Sequence, residues 1–158
     1  MRSSKNGPLL VVAAPVGNLA NFRIGKRTLE RVVTSSDVLA KRLLRFATSR
    51  GDIGLRLDGG RHPADGDVLY ADDALVIALD VTPDDVLVCR PKSMAQALSI
   101  AHALGNRHLP VQIDGETLLV RYDPLVEELL HATQVPYARE QRKLSAPFRH
   151  ASAPHGHA

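Results

Sequence analysis

The chain has 158 residues, 44% of them apolar, and a net charge of +3, which bounds it to one or two small domains of ordinary globular composition. Cys89 is its only cysteine, so an intrachain disulfide and a Cys-rich zinc site are both excluded. No run approaches the ~20 apolar residues of a membrane helix, and the mildly basic balance speaks to solubility rather than to a nucleic-acid footprint.

Arg2 and Lys5 precede an apolar run over residues 9–14, which Pro15 and Gly17 interrupt. No small-x-small cleavage site follows, so residues 1–26 read as a poorly ordered extension rather than a secretory signal, and a cytoplasmic protein is expected. Residues 27–81 read as a small all-β domain. Leu39, Leu43, Phe46 and Ala47 fit helical spacing with Ser36 as a possible cap, yet Arg42, Leu44, Phe46 and Thr48 equally fit one face of a strand. Ile53, Leu55 and Leu57 alternate as a half-buried strand does. Gly59-Gly60 and Asp65-Gly66 are turn signals. Apolar runs over 68–70 and 75–79 flank Asp72-Asp73 and suit a hairpin.

Residues 82–85, with Pro83 and two Asp, read as a linker. Beyond it the pattern changes. Residues 86–90 read as a strand, with Cys89 an inert core thiol. Ser93 can cap a helix to about residue 104, in which Met94, Ala97, Leu98, Ala101 and Leu104 share one apolar face, and Gly105 suits its C-terminal cap. Strands over 109–113 and 117–122 follow, joined by the hairpin signal Asp114-Gly115. Asp123-Pro124 then starts a second helix: a capping side chain, then proline at the first helical position. Leu125, Val126, Leu129, Leu130 and Thr133 form its apolar face. Residues 135–139 read as a last strand. The order over 85–143 is βαββαβ, the ferredoxin-like arrangement, so the expected class is α+β. Residues 144–158 are rich in Ser, Ala, Pro, Gly and His, a composition that cannot bury enough surface to offset chain entropy, and read as a flexible tail.

Imidazole binds nickel, copper and zinc, and this chain carries seven histidines. Three, His150, His155 and His157, lie in the tail; short His-rich tracts bind metal, and the inference is compositional. His108 follows the first helix of the second half. Taken alone it reads as a surface-loop residue; taken with the tail it suggests a fixed anchor served by a mobile arm. His62, His102 and His131 read as structural or solvated. No Gly-rich phosphate loop, no Gly-x-Ser-x-Gly nucleophile turn and no functional carboxylate pair is present, so no catalytic site is expected. Two rival readings remain: a peptide-binding module without metal, and an RNA-associated protein. The strands of the second half lack the aromatic residues that stack bases, which weakens the latter.

The block Gly105-Asn106-Arg107-His108-Leu109-Pro110-Val111-Gln112, before Asp114-Gly115, closely resembles the hallmark of the UreE family of urease accessory proteins, which are nickel metallochaperones. Arg42-Leu43-Leu44-Arg45-Phe46-Ala47-Thr48-Ser49-Arg50-Gly51, Leu55-Arg56-Leu57 and Asp65-Gly66-Asp67-Val68-Leu69 are similar to that family's amino-terminal β domain. The likeness runs in order over roughly 28–139 and favours the strand reading near Arg42. It implies an amino-terminal β domain akin to chaperone peptide-binding domains, a ferredoxin-like metal-binding domain, and a homodimer through that second domain. It further implies that His108 meets its twin across the two-fold axis and holds Ni(II), that tail histidines add ligands, and that the GTPase UreG and the urease apoprotein are partners. Zn(II) and Cu(II) are the expected competitors. The chain departs from the family where many members carry a further histidine: Ala103 stands there, with His102 one step out of register. Tyr122-Asp123-Pro124 replaces histidines some members hold after the second hairpin. A secondary metal site in the folded domain and storage of many ions are therefore not expected. Imidazole binds metal only when neutral, so affinity should fall as pH drops through the histidine range.

Overall fold

A computed structural model describes residues 9–56, 61–144 and 146–148. Among them the protein is α+β, with eleven strands in three sheets and three helices. The elements in order are β1 (Leu10–Val12), β2 (Gly17–Asn18), β3 (Thr28–Thr34), α1 (Ser36–Leu39), β4 (Leu43–Thr48), β5 (Gly51–Arg56), β6 (Asp67–Ala71), β7 (Leu75–Val81), β8 (Asp84–Cys89), α2 (Met94–Asn106), β9 (Val111–Asp114), β10 (Thr117–Arg121), α3 (Pro124–Ala132) and β11 (Tyr137–Arg142). The chain divides into two units. Among the described residues the first ends at Pro83 and takes in 143, 144, 146 and 147; the second is 84–142 with Phe148.

Unit 1 faces two sheets toward one core. Their orders are β1-β5-β4 and β2-β6-β7-β3. Alternation in β4 and β5 turns Leu44, Phe46, Ile53 and Leu55 inward, where they meet Val32, Leu69, Ile77 and Leu79. The extension expected over 1–26 differs at its described residues. Leu10, Val11 and Val12 pair in parallel with Ile53, Gly54 and Leu55 of β5, and Leu10 and Val12 pack against the core. Leu19, Phe22 and Ile24 cover Val68, Val76 and Ala78 on the far side of the second sheet. Burial of these aliphatic and aromatic groups, at up to ~1.5–3 kcal/mol each, fixes the segment. The ambiguous stretch near Arg42 holds both patterns in succession: one helical turn, then β4. Ser35 rather than Ser36 caps that turn, its Oγ accepting from Val38 N at 3.4 Å. Leu57 and Gly59-Gly60 lie outside the described residues.

One buried charge organises the loop before β6. Asp67 is fully buried. It accepts from both Arg61 guanidinium nitrogens at 2.7 and 2.8 Å, from Asn18 Nδ2 at 3.0 Å and from Ala64 N at 2.8 Å. Burial alone would raise its pKa, but the donors outweigh it and the carboxyl sits below its ordinary value.

Unit 2 is an antiparallel sheet of order β11-β8-β10-β9, with α2 between β8 and β9 and α3 between β10 and β11. Leu87 and Cys89 of β8 and Leu118 and Val120 of β10 form the sheet side of the core; Ile100, Leu104, Val126 and Leu130 form the helix side. The expected linker is shorter than residues 82–85, because β8 starts at Asp84 and pairs Asp84 with Arg142.

The helix faces need correction. In α2 the buried residues are Ile100 and Leu104. Met94 and Leu98, expected in the core, are 74% and 64% exposed. In α3 Val126 and Leu130 are buried while Leu125 is 68% exposed. Periodicity reports an apolar stripe but not which side meets the sheet. Of the tail expected over 144–158, the described residues include two that pack. Leu144 and Phe148 are buried, and Arg121 lies over the Phe148 ring at 5.4 Å. Lys143 Nζ bonds Asp65 at 2.9 Å and Asp80 at 2.8 Å. No helix among the described residues is long and apolar enough to cross a membrane.

Candidate metal centre

The position of His108 follows from how α2 begins and ends. Ser93 Oγ accepts from Gln96 N at 3.1 Å, and Gln96 Oε1 accepts from Lys92 N at 2.8 Å, so one first-turn amide and the amide just before the cap are satisfied by side chains. At the other end Gly105 is not the cap. The helix runs on to Asn106, with Arg107 at the C-cap. His108 takes the left-handed position, φ 55°. Its N–H donates to Gly105 O at 2.9 Å, and Leu109 N donates to Leu104 O at 3.2 Å. This is the paired closure that normally places glycine in the left-handed slot. Leu109 packs against the core and Pro110 ends any continuation.

The closure throws the His108 ring outward, where the residue is exposed. The other described histidines are engaged. His62 Nδ1 donates to Leu39 O at 3.1 Å, Asn106 Nδ2 donates to His102 Nε2 at 2.9 Å, and His131 Nε2 meets the Tyr137 hydroxyl at 2.8 Å. The His108 ring alone among these four has no hydrogen-bond partner among the described residues. A non-glycine residue at left-handed φ costs about 1 kcal/mol, and no hydrogen bond of the ring among the described residues offsets that cost.

Steps of three and four along a helix stay on one side, so Met94, Leu98, Ala101 and Gly105 line up along α2, and His108 follows two residues beyond the helix end. Ile113 of β9, 78% exposed, stands beside this line. Between them lies a groove of about 460 Å³ lined by Met94, Ala97, Leu98, Ala101, Ile113 and Leu118 among others. No three His, Cys, Asp or Glu side chains among the described residues converge on a point that could hold a metal. Cys89 is buried in the core, and burial pushes its thiol up to about 11, which removes it as a thiolate ligand. His150, His155 and His157 lie outside the described residues, so nothing here brings them to His108.

The match to known families divides the chain in the same place. The family model for the UreE urease accessory protein, N-terminal domain, matches residues 13–82, and that for its C-terminal domain matches residues 84–158. The chain belongs to the UreE family of urease accessory proteins. Similar proteins named "Urease accessory protein UreE" include those of Lachnoclostridium phytofermentans, 44% identical over 93% of this chain and 100% of the relative, and Geobacillus kaustophilus, 43% identical over 92% and 99%. A third, from Bacillus sp. strain TB-90, is 45% identical over 89% of this chain and 95% of its own length. As a UreE the chain is an accessory to urease maturation and not itself an enzyme.

Proposed function

We propose that the protein is a nickel carrier that delivers Ni(II) to urease while the enzyme's metal centre is assembled. The observation that carries this reading is His108: exposed, its ring without a hydrogen-bond partner among the described residues, held at a backbone position that favours glycine, and set just beyond α2, which carries exposed Met94 and Leu98. Strain retained where the fold gains nothing from it is a mark of function. One imidazole per chain is a poor site. A two-fold axis near His108 turns it into two converging ligands, because an isologous interface repeats each contact. The apolar line from Met94 to Ala101, with Ile113, supplies the surface such a homodimer buries. His157, His155 and His150 are the proposed exchangeable ligands. Two fixed imidazoles leave coordination positions open for them, and open positions suit an ion that must be passed on.

The ferredoxin-like reading of unit 2 is supported by its element order and by the strand order β11-β8-β10-β9. The cytoplasm is the proposed location, UreG and the urease apoprotein complex the proposed partners, and Zn(II) and Cu(II) the competing ions. The test is calorimetric nickel titration with mass measurement in solution. Wild type should bind one shared ion per two protomers. His108→Ala should lose that site by at least about a hundredfold in affinity, near ~2.7 kcal/mol. Truncation after Phe148, which spares the buried Leu144 and Phe148, should weaken binding and leave the dimer intact. If truncation abolishes all binding while His108→Ala changes nothing, the assignment of anchor and arm is wrong.

A further inference from the structure

Helix α2 carries near its end a glycine that its own chain does not need. Gly105 lies within the helix, one residue short of its last, and has no left-handed φ. A Cβ built there would meet no atom of the described residues within 4 Å. The closure does not require glycine either. α3 closes in the same way, with Gln134 N donating to His131 O at 3.1 Å and Val135 N to Leu130 O at 3.0 Å. His131 stands in α3 where Gly105 stands in α2, so this helix end accepts a full side chain. Glycine within a helix destabilises it relative to alanine, through backbone entropy. Position 105 gives up helix stability for an absent side chain, and no described residue fills the space.

The surface around Gly105 is of a kind that a second copy can cover. α2 has 13 residues, Met94–Asn106, and none is Asp, Glu, Lys or Arg. A helix side turned to water ordinarily carries charge, as α3 does with exposed Glu128. A two-fold contact sets like groups against like, and on the line of Met94, Leu98, Ala101 and Gly105 no charge meets its own sign. His108, three residues on, needs that copy close. Imidazole–metal bonds of ~2.0–2.1 Å put two ring nitrogens on one ion within about 4 Å of each other.

We propose that Gly105 is a positioning residue for the shared ion. Its missing side chain lets the α2 end of a second copy come against it at backbone contact, and this brings the two His108 rings to one ion. The proposal rests on the carrier reading above and adds to it the residue that sets the spacing of the two imidazoles. A side chain at 105 acts as a spacer: it holds the two helix ends apart, and the rings with them, while the fold of each chain is unchanged.

The test compares full-length wild type, Gly105→Ala and Gly105→Leu by nickel calorimetry and sedimentation. The loss should grow with side-chain size. The shared site should weaken about tenfold in Gly105→Ala and at least about a hundredfold in Gly105→Leu, with the dimer weakened in the same order. At a dilution where all three are monomers, both variants should melt at or above the wild-type temperature, because alanine and leucine favour helix over glycine. Lower melting of the monomers would make the glycine structural and overturn the proposal. Nickel loss with the dimer as strong as wild type would overturn it too, since the space would then serve exchangeable ligands rather than a second copy. A Gly105→Leu chain that shares an ion as tightly as wild type removes Gly105 and leaves the carrier reading standing. A wild type that shares no ion between two protomers sinks that reading and the proposal with it.

Discussion

The helices α2 and α3 are built alike and left differently. Each begins with a side-chain cap, Ser93 for one and Asp123 for the other. Each ends in the same paired closure with a non-glycine residue in the left-handed slot, His108 at φ 55° and Gln134 at φ 53°. Around Gln134 the chain uses its groups internally. The carbonyls of Thr133 and Gln134 accept from Gln96 Nε2 at 3.5 and 3.2 Å. The Tyr137 hydroxyl donates to Glu127 Oε1 at 3.0 Å and, its one hydrogen spent, accepts from His131 Nε2 at 2.8 Å. Around His108 the ring is left over, and the helix side leading to it is apolar and exposed. A left-handed non-glycine residue is therefore not by itself a sign of function. Neither side chain has a hydrogen-bond partner among the described residues; what sets His108 apart is that its side chain is a metal-ligating imidazole.

If the exposed side of α2 is an interface and that of α3 is not, a charge placed on each should separate them. Leu98→Glu puts a carboxylate into the proposed dimer contact, where an unpaired buried charge costs several kcal/mol. Sedimentation should then find a folded monomer at concentrations where wild type is a dimer, and the shared nickel site should go with it. Leu125→Glu, on the exposed side of α3, should leave the dimer as it was. A Leu98→Glu protein that stays dimeric removes the stripe from the argument and leaves His108 without a reason for its neighbours.

Sequence reading did well where structure is local. Asp123-Pro124 starts α3 as its chemistry requires, with Asp123 Oδ1 accepting from Leu125 N at 2.8 Å. Asp114-Gly115 turns the β9–β10 hairpin, and Gly115 adopts φ 59°. It did poorly where the decisive partner is distant or outside the chain. β1 was read as part of a loose extension because its mate, β5, lies some forty residues on and pairs in parallel, which no local signal announces. The stripe of Met94, Leu98 and Ala101 was read as core because apolar periodicity is the same for a side facing a sheet and a side facing another molecule. Gly105 drew the closing role, while Arg107 is the C-cap and His108 takes the left-handed slot, since glycine is the usual left-handed residue and histidine is not. Leu144 and Phe148 were assigned to a tail whose average composition is unpackable, yet each is buried. His108 was singled out by sequence, but its backbone strain and its idle ring were not legible there.

The two left-handed slots can also be compared directly. Replacing either residue by glycine removes the steric cost and should stabilise the fold by up to about 1 kcal/mol, offset in part by the greater freedom of glycine in the unfolded chain. His108→Gly should therefore melt a few degrees higher while losing the shared nickel site. Gln134→Gly should show the same thermal gain with nickel binding intact. A gain at Gln134 without one at His108 would mean that the ring makes a stabilising contact after all, and the trade of stability for metal would fall.

The smallest effect lies on the employed side of the comparison. Burial first, and then the hydrogen bond to Glu127, raises the Tyr137 pKa above its ordinary value. A phenol whose folded pKa is raised contributes stability that is fully present below the unfolded pKa, near ~10, and is lost as pH rises through the folded value. Tyr137→Phe should lower the urea midpoint slightly at neutral pH through the lost hydrogen bonds. It should also flatten the decline of the urea midpoint above pH ~10 relative to wild type. Nickel affinity should not change, because the Glu127–Tyr137–His131 chain closes the end of α3 and does not reach His108. If Tyr137→Phe altered nickel binding, the division between a helix end that serves the fold and one that serves the ion would have to be redrawn.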